Sequence, residues 1–600
     1  MISFTGKKLK EYILAIPSIT DYKKRFCYDN FKDLVVNTMD MRVVALYGLR
    51  RTGKSVLMAQ LIIDIGQYDD ICLIKCNKDD EMSQLRANIE RYKNCKYIFV
   101  DEATRLENFA TEASDLSDIY SSGHRIIMAG TDSLGLYISK QYELYGRIHM
   151  LHTTYIPYKE YNYLLGRSLD DYIMYGGTLT PENDFYNQEC SQEYSNASIA
   201  ENIQHSLDGL GRNGEYGVLA IFRHNGELTT FFNKIIELYN RQFTADIVNS
   251  KFKTHDILVL RHYNRRKSDA DYEQLNTKIN ISFRQEIMNA LHIVDNMSER
   301  ATDKAIAEAK KYLQALDVIY PIPDSNEVIF TQPGLRYSQC TAQIKVISQS
   351  YNIDFTEEQR RILSQTLDND IKGRMLEDII YYQLAKDNAF NQKFTINKFN
   401  TPLFPGEFDI AIITKETNEA YIIEVKHSNK AVEHQARHLT NEELCSEFEN
   451  TEHATIIGKM VIYMGDTLPG QLYGVNYISA EDFLMDPAKL LNMVYTLRKQ
   501  PPVIPATYED GTPEAVFTEA YNRSYAEHES HDIAALAAAR ALYRSGFDRI
   551  TVLTTVDNLS PLADEDEHFT SRIVRKAEQN PRIQQLLKER QEQPQTNKAR

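Results

Sequence analysis

The stretch from Gly48 to Ser55 has the residue types and spacing of a loop that binds phosphate. It reads Gly48, Leu49, Arg50, Arg51, Thr52, Gly53, Lys54 and Ser55. The apolar run at 42–47 predicts a strand before it, and residues 54–66 predict a helix after it. Glycines let backbone N–H groups curl around an anion, Lys54 can reach the β- and γ-phosphates, and the Ser55 hydroxyl can ligate Mg²⁺. The pattern therefore predicts an ATP site that uses Mg²⁺, and the alternative is a chance glycine-rich turn.

An acidic pair, Asp101 and Glu102, follows the apolar run at 97–100. An acidic residue at the carboxyl end of a buried strand points into the crevice where α/β sheets bind ligands. We expect Asp101 to hold Mg²⁺ and Glu102 to act as the general base, or to polarise the attacking water. The alternative is an exposed acidic pair in a turn.

Two more positions could complete such a site. Thr131 and Asp132 follow the apolar run at 125–130, where a polar side chain can orient the water or sense the γ-phosphate. Arg147 precedes the run at 149–155 and is a candidate arginine finger, acting in cis or in trans. The alternatives are a plain loop for the first pair and an exposed loop arginine for Arg147.

A second set of charged residues lies far downstream. Residues 407–414 and 419–426 alternate like paired strands around a short turn, which places Asp409 and Glu424 on neighbouring strands. Lys426 lies two residues after Glu424 and shares its face. Two carboxylates that bind Mg²⁺ and a lysine that stabilises charge suit metal-assisted cleavage of a phosphodiester.

The first set of motifs resembles the AAA-type branch of P-loop ATPases, and more narrowly the prokaryotic AAA-like ATPases with a nuclease-like domain at the C-terminus. The segments that carry this resemblance are GLRRTGKS, YIFVDEA, AGTDS, YGRIHMLHTTYIPYKEY and YIMYGG. They include the Tyr145–Arg147 segment, the Pro157–Glu160 segment and the Gly176–Gly177 pair. The resemblance covers about residues 20–450 and implies ATP as the ligand.

The second set resembles the core of PD-(D/E)xK nucleases, with Asp409 and the Glu424-x-Lys426 pair at the motif positions. The resemblance implies that Glu377, in the preceding helical pattern, is the first acid and a third metal ligand. Gln435 occupies the position of a helical glutamine. Phe408 stands where the family has proline, so the match departs from the motif there.

The predicted fold is a multidomain α/β protein. The expected domains are a P-loop AAA-type ATPase with a parallel sheet (20–160), a helical lid (161–277), a winged helix (278–345), a PD-(D/E)xK-like mixed α/β domain (346–500), a helical extension (501–585) and a disordered tail (586–600). The winged helix rests on helical patterns at 281–291 and 301–316 and on two short strands within 318–330. The longer of these helices, which contains residues 301–316, carries as many acidic as basic residues near its start. This composition favours packing against other parts of the protein over contact with DNA bases.

Composition limits the classes of function. A net charge of −16 argues against a surface built mainly to wrap nucleic acid, although a local basic groove remains compatible with it. The seven cysteines are scattered without a CxxC pair, which is typical of reduced thiols in a cytoplasmic protein. No run of about 18 apolar residues is present, so we expect no membrane partner.

The leading hypothesis is an ATP-hydrolysing protein whose nucleotide state controls a metal-dependent nuclease-like domain in DNA processing or defence. One alternative is a nucleotide-dependent switch or scaffold whose nuclease-like fold binds but does not cleave. Another is a ring-forming remodelling motor in which Arg147 acts between subunits. The sequence leaves an oligomer or a protein partner open.

Overall fold

The structure is a computed structural model, and it divides into two compact units. The first comprises residues 1–396, 425–427 and 480–487, and the second comprises 397–424, 428–479 and 488–600. The described residues are 1–38, 42–77, 79–106, 109–113, 116, 123–131, 147–179, 217–253, 299–323, 325, 327–349, 357–404, 406–497, 512–528, 531–560 and 569–592. Asp132, Gly146, the expected helix at 281–291 and the proline-rich linker near 501–505 lie outside them.

The first unit is built on a mainly parallel sheet. Its strands are β1 (Ile2–Thr5), β2 (Val43–Tyr47), β3 (Ile71–Lys75), β4 (Tyr97–Asp101), β5 (Arg125–Gly130) and β6 (Ile148–His152). Their order is β1-β3-β4-β5-β2-β6, and only the edge strand β1 runs antiparallel to its neighbour among these strands of the described chain. The predicted strands β2 to β6 are confirmed. The short, partly exposed β1 was not predicted because its pattern lacks a clear alternation.

Helices cover both faces of this sheet. On β2, Val43 and Ala45 belong to one apolar cluster, whereas Val44 and Leu46 belong to another. Successive residues of a strand face opposite sides, so a strand that is apolar throughout needs cover on both. The covering helices are α1 (Gly6–Leu14), α2 (Tyr28–Lys32), α3 (Lys54–Ile65), α4 (Met82–Arg91) and α5 (Phe109–Glu112).

A helical region completes the first unit. Its helices are α6 (Tyr158–Leu165), α7 (Leu169–Tyr175), α8 (Gly217–His224), α9 (Leu228–Lys253), α10 (Glu299–Ala315), α11 (Pro333–Gln349), α12 (Glu357–Lys386) and α13 (Asn388–Lys393). Between α10 and α11, β7 (Ile319–Pro321) and β8 (Val328–Phe330) form an antiparallel pair, which confirms the predicted hairpin. An apolar cluster joins Phe232, Tyr312 and Phe330 of this region to Leu49 of the loop after β2. The winged-helix assignment stays a prediction.

The second unit holds most of a mixed sheet. The strands are β9 (Phe394–Asn400), β10 (Glu407–Thr414), β11 (Glu419–Lys426), β12 (Thr455–Tyr463), β13 (Gln471–Leu472) and β14 (Val475–Ser479), in the order β13-β14-β12-β11-β10-β9. β10 and β11 are antiparallel, as predicted, and β12 and β14 are parallel. The expected helix at 431–440 is a 3-10 turn followed by the short α14 (Arg437–Thr440), and the longer helix is α15 (Glu442–Glu452).

Helices follow the second sheet. They are α16 (Ala480–Met485), which belongs to the first unit, α17 (Pro487–Leu497), α18 (Pro513–His528), α19 (His531–Arg544), α20 (Arg549–Leu559), α21 (Phe569–Glu578) and α22 (Pro581–Glu592). Helices α18 to α22 share an apolar core of their own. Leu586 and Leu587 pack against this core, and α22 extends to Glu592, so the predicted disorder is wrong for residues 586–592.

Two expectations from composition concern membrane-spanning helices and the state of the cysteines. No helix in the described ranges is both long and apolar enough to cross a bilayer. The cysteines that the structure describes are free thiols: Cys27, Cys72, Cys76, Cys95, Cys340 and Cys445.

Candidate nucleotide site

The loop after β2 has the backbone of a phosphate-binding loop. Gly48 has a φ of 146° and Gly53 a φ of 87°, which only glycine adopts without strain. A Cβ atom on Gly48 would lie 2.6 Å from Oγ1 of Thr153, so close packing also requires glycine there. Helix α3 begins at Lys54, and its first N–H groups therefore lie at the loop. The predicted order of strand, loop and helix is confirmed.

Lys54 is buried inside this loop. Its Nζ donates hydrogen bonds to the carbonyl oxygens of Gly48 and Leu49, both at 2.8 Å. Burial lowers the pKa of Lys54 to about 8, against the opposing charges of Glu102 and Asp101. A buried ammonium group whose charge is only partly compensated favours the approach of an anion.

Ser55 and Asp101 meet beside the loop. The Ser55 hydroxyl donates to the Asp101 carboxylate at distances of 3.2 and 3.4 Å to its two oxygens. Burial raises the pKa of Asp101, and the charge of Glu102 raises it further. A hydroxyl and a carboxylate are hard oxygen donors of the kind that Mg²⁺ prefers, so this pair fits the predicted metal contact.

Glu102 and Thr131 form the next contact. Strand β5 lies between β2 and β4, so its end places Thr131 between the loop and the acidic pair. The Thr131 hydroxyl donates to Oε2 of Glu102 at 3.3 Å. Glu102 has a φ of 58°, which is unusual for a residue other than glycine, and its N–H donates to Asp101 at 3.1 Å. The structure thus brings Lys54, Ser55, Asp101, Glu102 and Thr131 together at one edge of the sheet.

The middle residues of the loop make contacts with other parts of the protein that a role in binding phosphate does not explain. Leu49 is fully buried in the helical core, and its N–H donates to Oγ1 of Thr154 at 3.0 Å. Arg51 is exposed with a φ of 63°, while its carbonyl accepts from the N–H of Leu179 at 2.7 Å. Arg50 is half-buried. Leu49 therefore links the loop to the helical core, a role that the motif alone does not indicate.

Arg147 lies at the opposite end of the strands from the phosphate-binding loop. The Val43 N–H donates to its carbonyl oxygen at 3.0 Å, so Arg147 stands beside the beginning of β2. The phosphate-binding loop follows the end of β2, roughly 13 Å away along the strand. The exposed Arg147 side chain is therefore badly placed to act on a nucleotide held by its own chain.

One buried ion pair was missed by the sequence reasoning. Arg25 and Glu160 form a fork of two hydrogen bonds at 2.8 and 2.9 Å, and both are less than a tenth exposed. Burial lowers the pKa of Arg25, but the hydrogen bond and charge of Glu160 outweigh it and raise the pKa overall. In the sequence, the Pro157–Glu160 segment stands out only by its resemblance to a family pattern, and no motif marks Arg25.

The downstream carboxylates face each other across two strands. Ile410 pairs with Ile423, and the next step of this register brings Asp409 opposite Glu424. Both carboxylates are buried, and Nδ1 of His438 lies 3.5 Å from Oε1 of Glu424. Side chains directly opposite on antiparallel strands share a face. The predicted placement of Asp409 and Glu424 on neighbouring antiparallel strands is confirmed.

The remaining predicted nuclease residues are placed as follows. Lys426 is half-buried at the end of β11, two residues after Glu424. Buried Gln435 accepts a hydrogen bond from the Val432 N–H at 3.2 Å. Glu377 belongs to α12 of the first unit and accepts from Arg374 at 2.9 Å. Over the described parts of the chain, no group of three or more His, Cys, Asp or Glu side chains could hold a metal ion.

Comparison with known proteins locates one family. Residues 40–162 match the family described as "AAA domain". No curated protein matches the chain. A solved structure titled "S. cerevisiae Hsp104-ADP complex" is similar to the chain with 11% identity and a TM-score of 0.21. That alignment covers 91% of this chain and 61% of the other, and a likeness at this level carries no argument. The matched residues contain strands β2 to β6 and the loop from Gly48 to Ser55, and the geometry of that loop agrees with the match.

Proposed function

We propose that the first unit binds ATP at the loop from Gly48 to Ser55 and hydrolyses it. The observation that supports this most is the convergence of Lys54, the Ser55–Asp101 pair and Glu102 at the carboxyl edge of the sheet. Ligands of open α/β sheets bind at this edge.

The residues divide the chemistry among them. The Lys54 ammonium binds β- and γ-phosphate oxygens, and the N–H groups at the start of α3 bind the rest. Glu102 accepts the proton of the attacking water while the water oxygen bonds to the γ-phosphorus. The bond to the bridging oxygen breaks, and ADP and phosphate leave. Thr131 holds Glu102 in place through its hydroxyl hydrogen bond.

Ser55 and Asp101 would hold Mg²⁺ in this site. When bound, Mg²⁺ supplies positive charge to the β- and γ-phosphate oxygens. The contact between the two donors already aligns them at the mouth of the loop.

A comparison of lysine variants tests this proposal. Lys54→Ala should weaken ATP binding and abolish turnover, because it removes the ammonium group that contacts the phosphates. Lys7→Ala is the control, since the Lys7 side chain is 88% exposed on α1 and pairs only with the neighbouring Glu11 among the described contacts. Equal ATP binding by the Lys54 and Lys7 variants would overturn the proposal.

We propose a second activity for the α/β region that contains β10 and β11, which is metal-dependent cleavage of DNA. The buried, face-to-face Asp409 and Glu424 support it, with Lys426 on the same strand as Glu424. The ATP state of the first unit would control this cleavage.

Plasmid nicking in Mg²⁺ or Mn²⁺, with and without ATP, tests the second activity. Asp409→Ala and Lys426→Ala should abolish nicking. Glu416→Ala should not, because Glu416 is an exposed carboxylate in the turn between β10 and β11. Binding of DNA without nicking would instead favour the scaffold alternative, and equal nicking in all variants would indicate a contaminating nuclease.

A further inference from the structure

The guanidinium group of Arg25 is buried beside the phosphate-binding loop, and all of its N–H donors are engaged. Nε and Nη2 donate to Glu160 at 2.9 and 2.8 Å. Nη1 donates to the carbonyl oxygens of Thr52 and Thr153 at 2.8 and 2.7 Å. Nη2 also donates to the carbonyl of Tyr155 at 3.1 Å. The N–H donors of a guanidinium lie in one plane in a rigid fork, so these bonds fix its orientation completely.

Glu160 holds the guanidinium from the opposite side. It lies in the first turn of α6, where a carboxylate is favoured by the helix dipole, and its Oε1 also accepts from the N–H of Phe26 at 2.8 Å. The side chains of Arg25 and Glu160 are 6% and 4% exposed. A charge buried to this degree requires its partner, so the two residues act as one unit.

The bond to Thr52 reaches the loop that binds phosphate. A trans peptide is planar, and its C=O and N–H point in opposite directions. Because Arg25 holds the carbonyl of Thr52, the N–H of Gly53 must point away from Arg25. A Cβ atom on Gly53 would lie 3.4 Å from Cδ of Arg25, so the arginine stem packs directly against this peptide.

The same arginine ties the loop to the end of β6. Nη1 bridges the carbonyls of Thr52 and Thr153, and the hydroxyl oxygens of these two threonines lie 2.9 Å apart. The Thr153 hydroxyl donates in turn to the carbonyl of Tyr47 at 3.0 Å, where β2 ends. The loop is therefore held at both its entry and its last glycine.

We propose that Arg25, held by Glu160, is the positioning residue of the phosphate-binding loop. It fixes the Thr52–Gly53 peptide so that the loop is ready to bind the phosphates of ATP or ADP before the nucleotide arrives. This inference rests on the proposed function for its ligand. It also assigns a role to Glu160 and the Pro157–Glu160 segment, which take no part in the proposed steps of ATP hydrolysis.

Two variants separate positioning from folding. Arg25→Lys keeps a positive charge but cannot form the five-bond fork. The double variant Arg25→Met with Glu160→Leu replaces the buried ion pair by apolar groups of similar volume, a change that often preserves stability. Lys24→Met is the matched control, because Lys24 is a neighbouring cation that pairs with Asp64 at the surface.

The experiment combines amide hydrogen exchange of the loop peptide without nucleotide with titration by ATP, both on the full chain. We expect faster exchange and at least tenfold weaker ATP binding in the double variant and in Arg25→Lys, with kcat changed far less than KM. The control should match the wild type in both measurements.

Unchanged exchange of the loop peptide in a folded double variant would overturn the positioning role. So would ATP affinity within threefold of the wild type. A wild-type protein that binds no ATP would instead refute the proposed function, while the exchange measurement would still decide the role of Arg25.

Discussion

The depressed pKa of Lys54 predicts that ATP binding weakens as the pH rises. Burial lowers this pKa to about 8, and phosphate charge must raise it again in the complex. ATP binding above about pH 8 therefore takes up a proton, and the affinity falls by a factor of roughly 1 + 10^(pH − 8) until the pKa of the bound state is reached. The expected loss is about 30-fold at pH ~9.5 relative to pH ~7, or about 2 kcal/mol.

Isothermal titration with EDTA present measures this effect without a contribution from metal charge. Terminal phosphates are already ionised above about pH 7.5, because their second pKa is about 6. Titrations in two buffers of different ionisation enthalpy should show uptake of about one proton per ATP at pH ~9. Lys54→Arg should bind without this pH dependence, since guanidinium stays protonated. Constant affinity with no proton uptake would refute the assignment of Lys54 as the phosphate-binding cation.

Three other predictions concern separate parts of the first unit. Glu102→Gln should keep ATP binding but lower turnover by about 100-fold or more, measured by phosphate release, because it removes the general base. Gly177→Ala should destabilise the protein by about 1–3 kcal/mol in thermal unfolding, because the added Cβ would lie 2.5 Å from Cβ of Gln332. Gly166→Ala should destabilise it less, because a Cβ there meets no atom within 4 Å. Arg147→Ala should leave turnover unchanged at concentrations where light scattering shows a monomer, since the residue lies beside the beginning of β2 and the loop follows its end. A loss of turnover by the monomer would contradict that placement.

Local patterns were sufficient for the parts of the fold that depend on short-range sequence. The strands β2 to β5 are nearly continuous apolar runs, and the phosphate-binding loop has fixed glycine positions, so both were predictable. The placement of Asp409 and Glu424 on neighbouring antiparallel strands followed from the alternation of two strands around a short turn.

Contacts between distant segments were not predictable from such patterns. Arg25 and Glu160 are separated by 135 residues, and no periodicity marks either of them. The burial of Leu49 in the helical core depends on residues between Leu219 and Leu335, which pattern reasoning cannot place. Arg147 was assigned from its position before a strand, but its distance from the loop follows only from the parallel direction of β6 and β2.

The most direct test of the central claim is steady-state release of phosphate from ATP by the purified full chain in Mg²⁺. The wild type and Lys7→Ala should hydrolyse ATP at the same rate, and Lys54→Ala and Glu102→Gln should both lose turnover. Turnover in the Lys54 variant equal to that of the wild type, or its absence from the wild type, would contradict the assignment of this loop as an ATP-hydrolysing site.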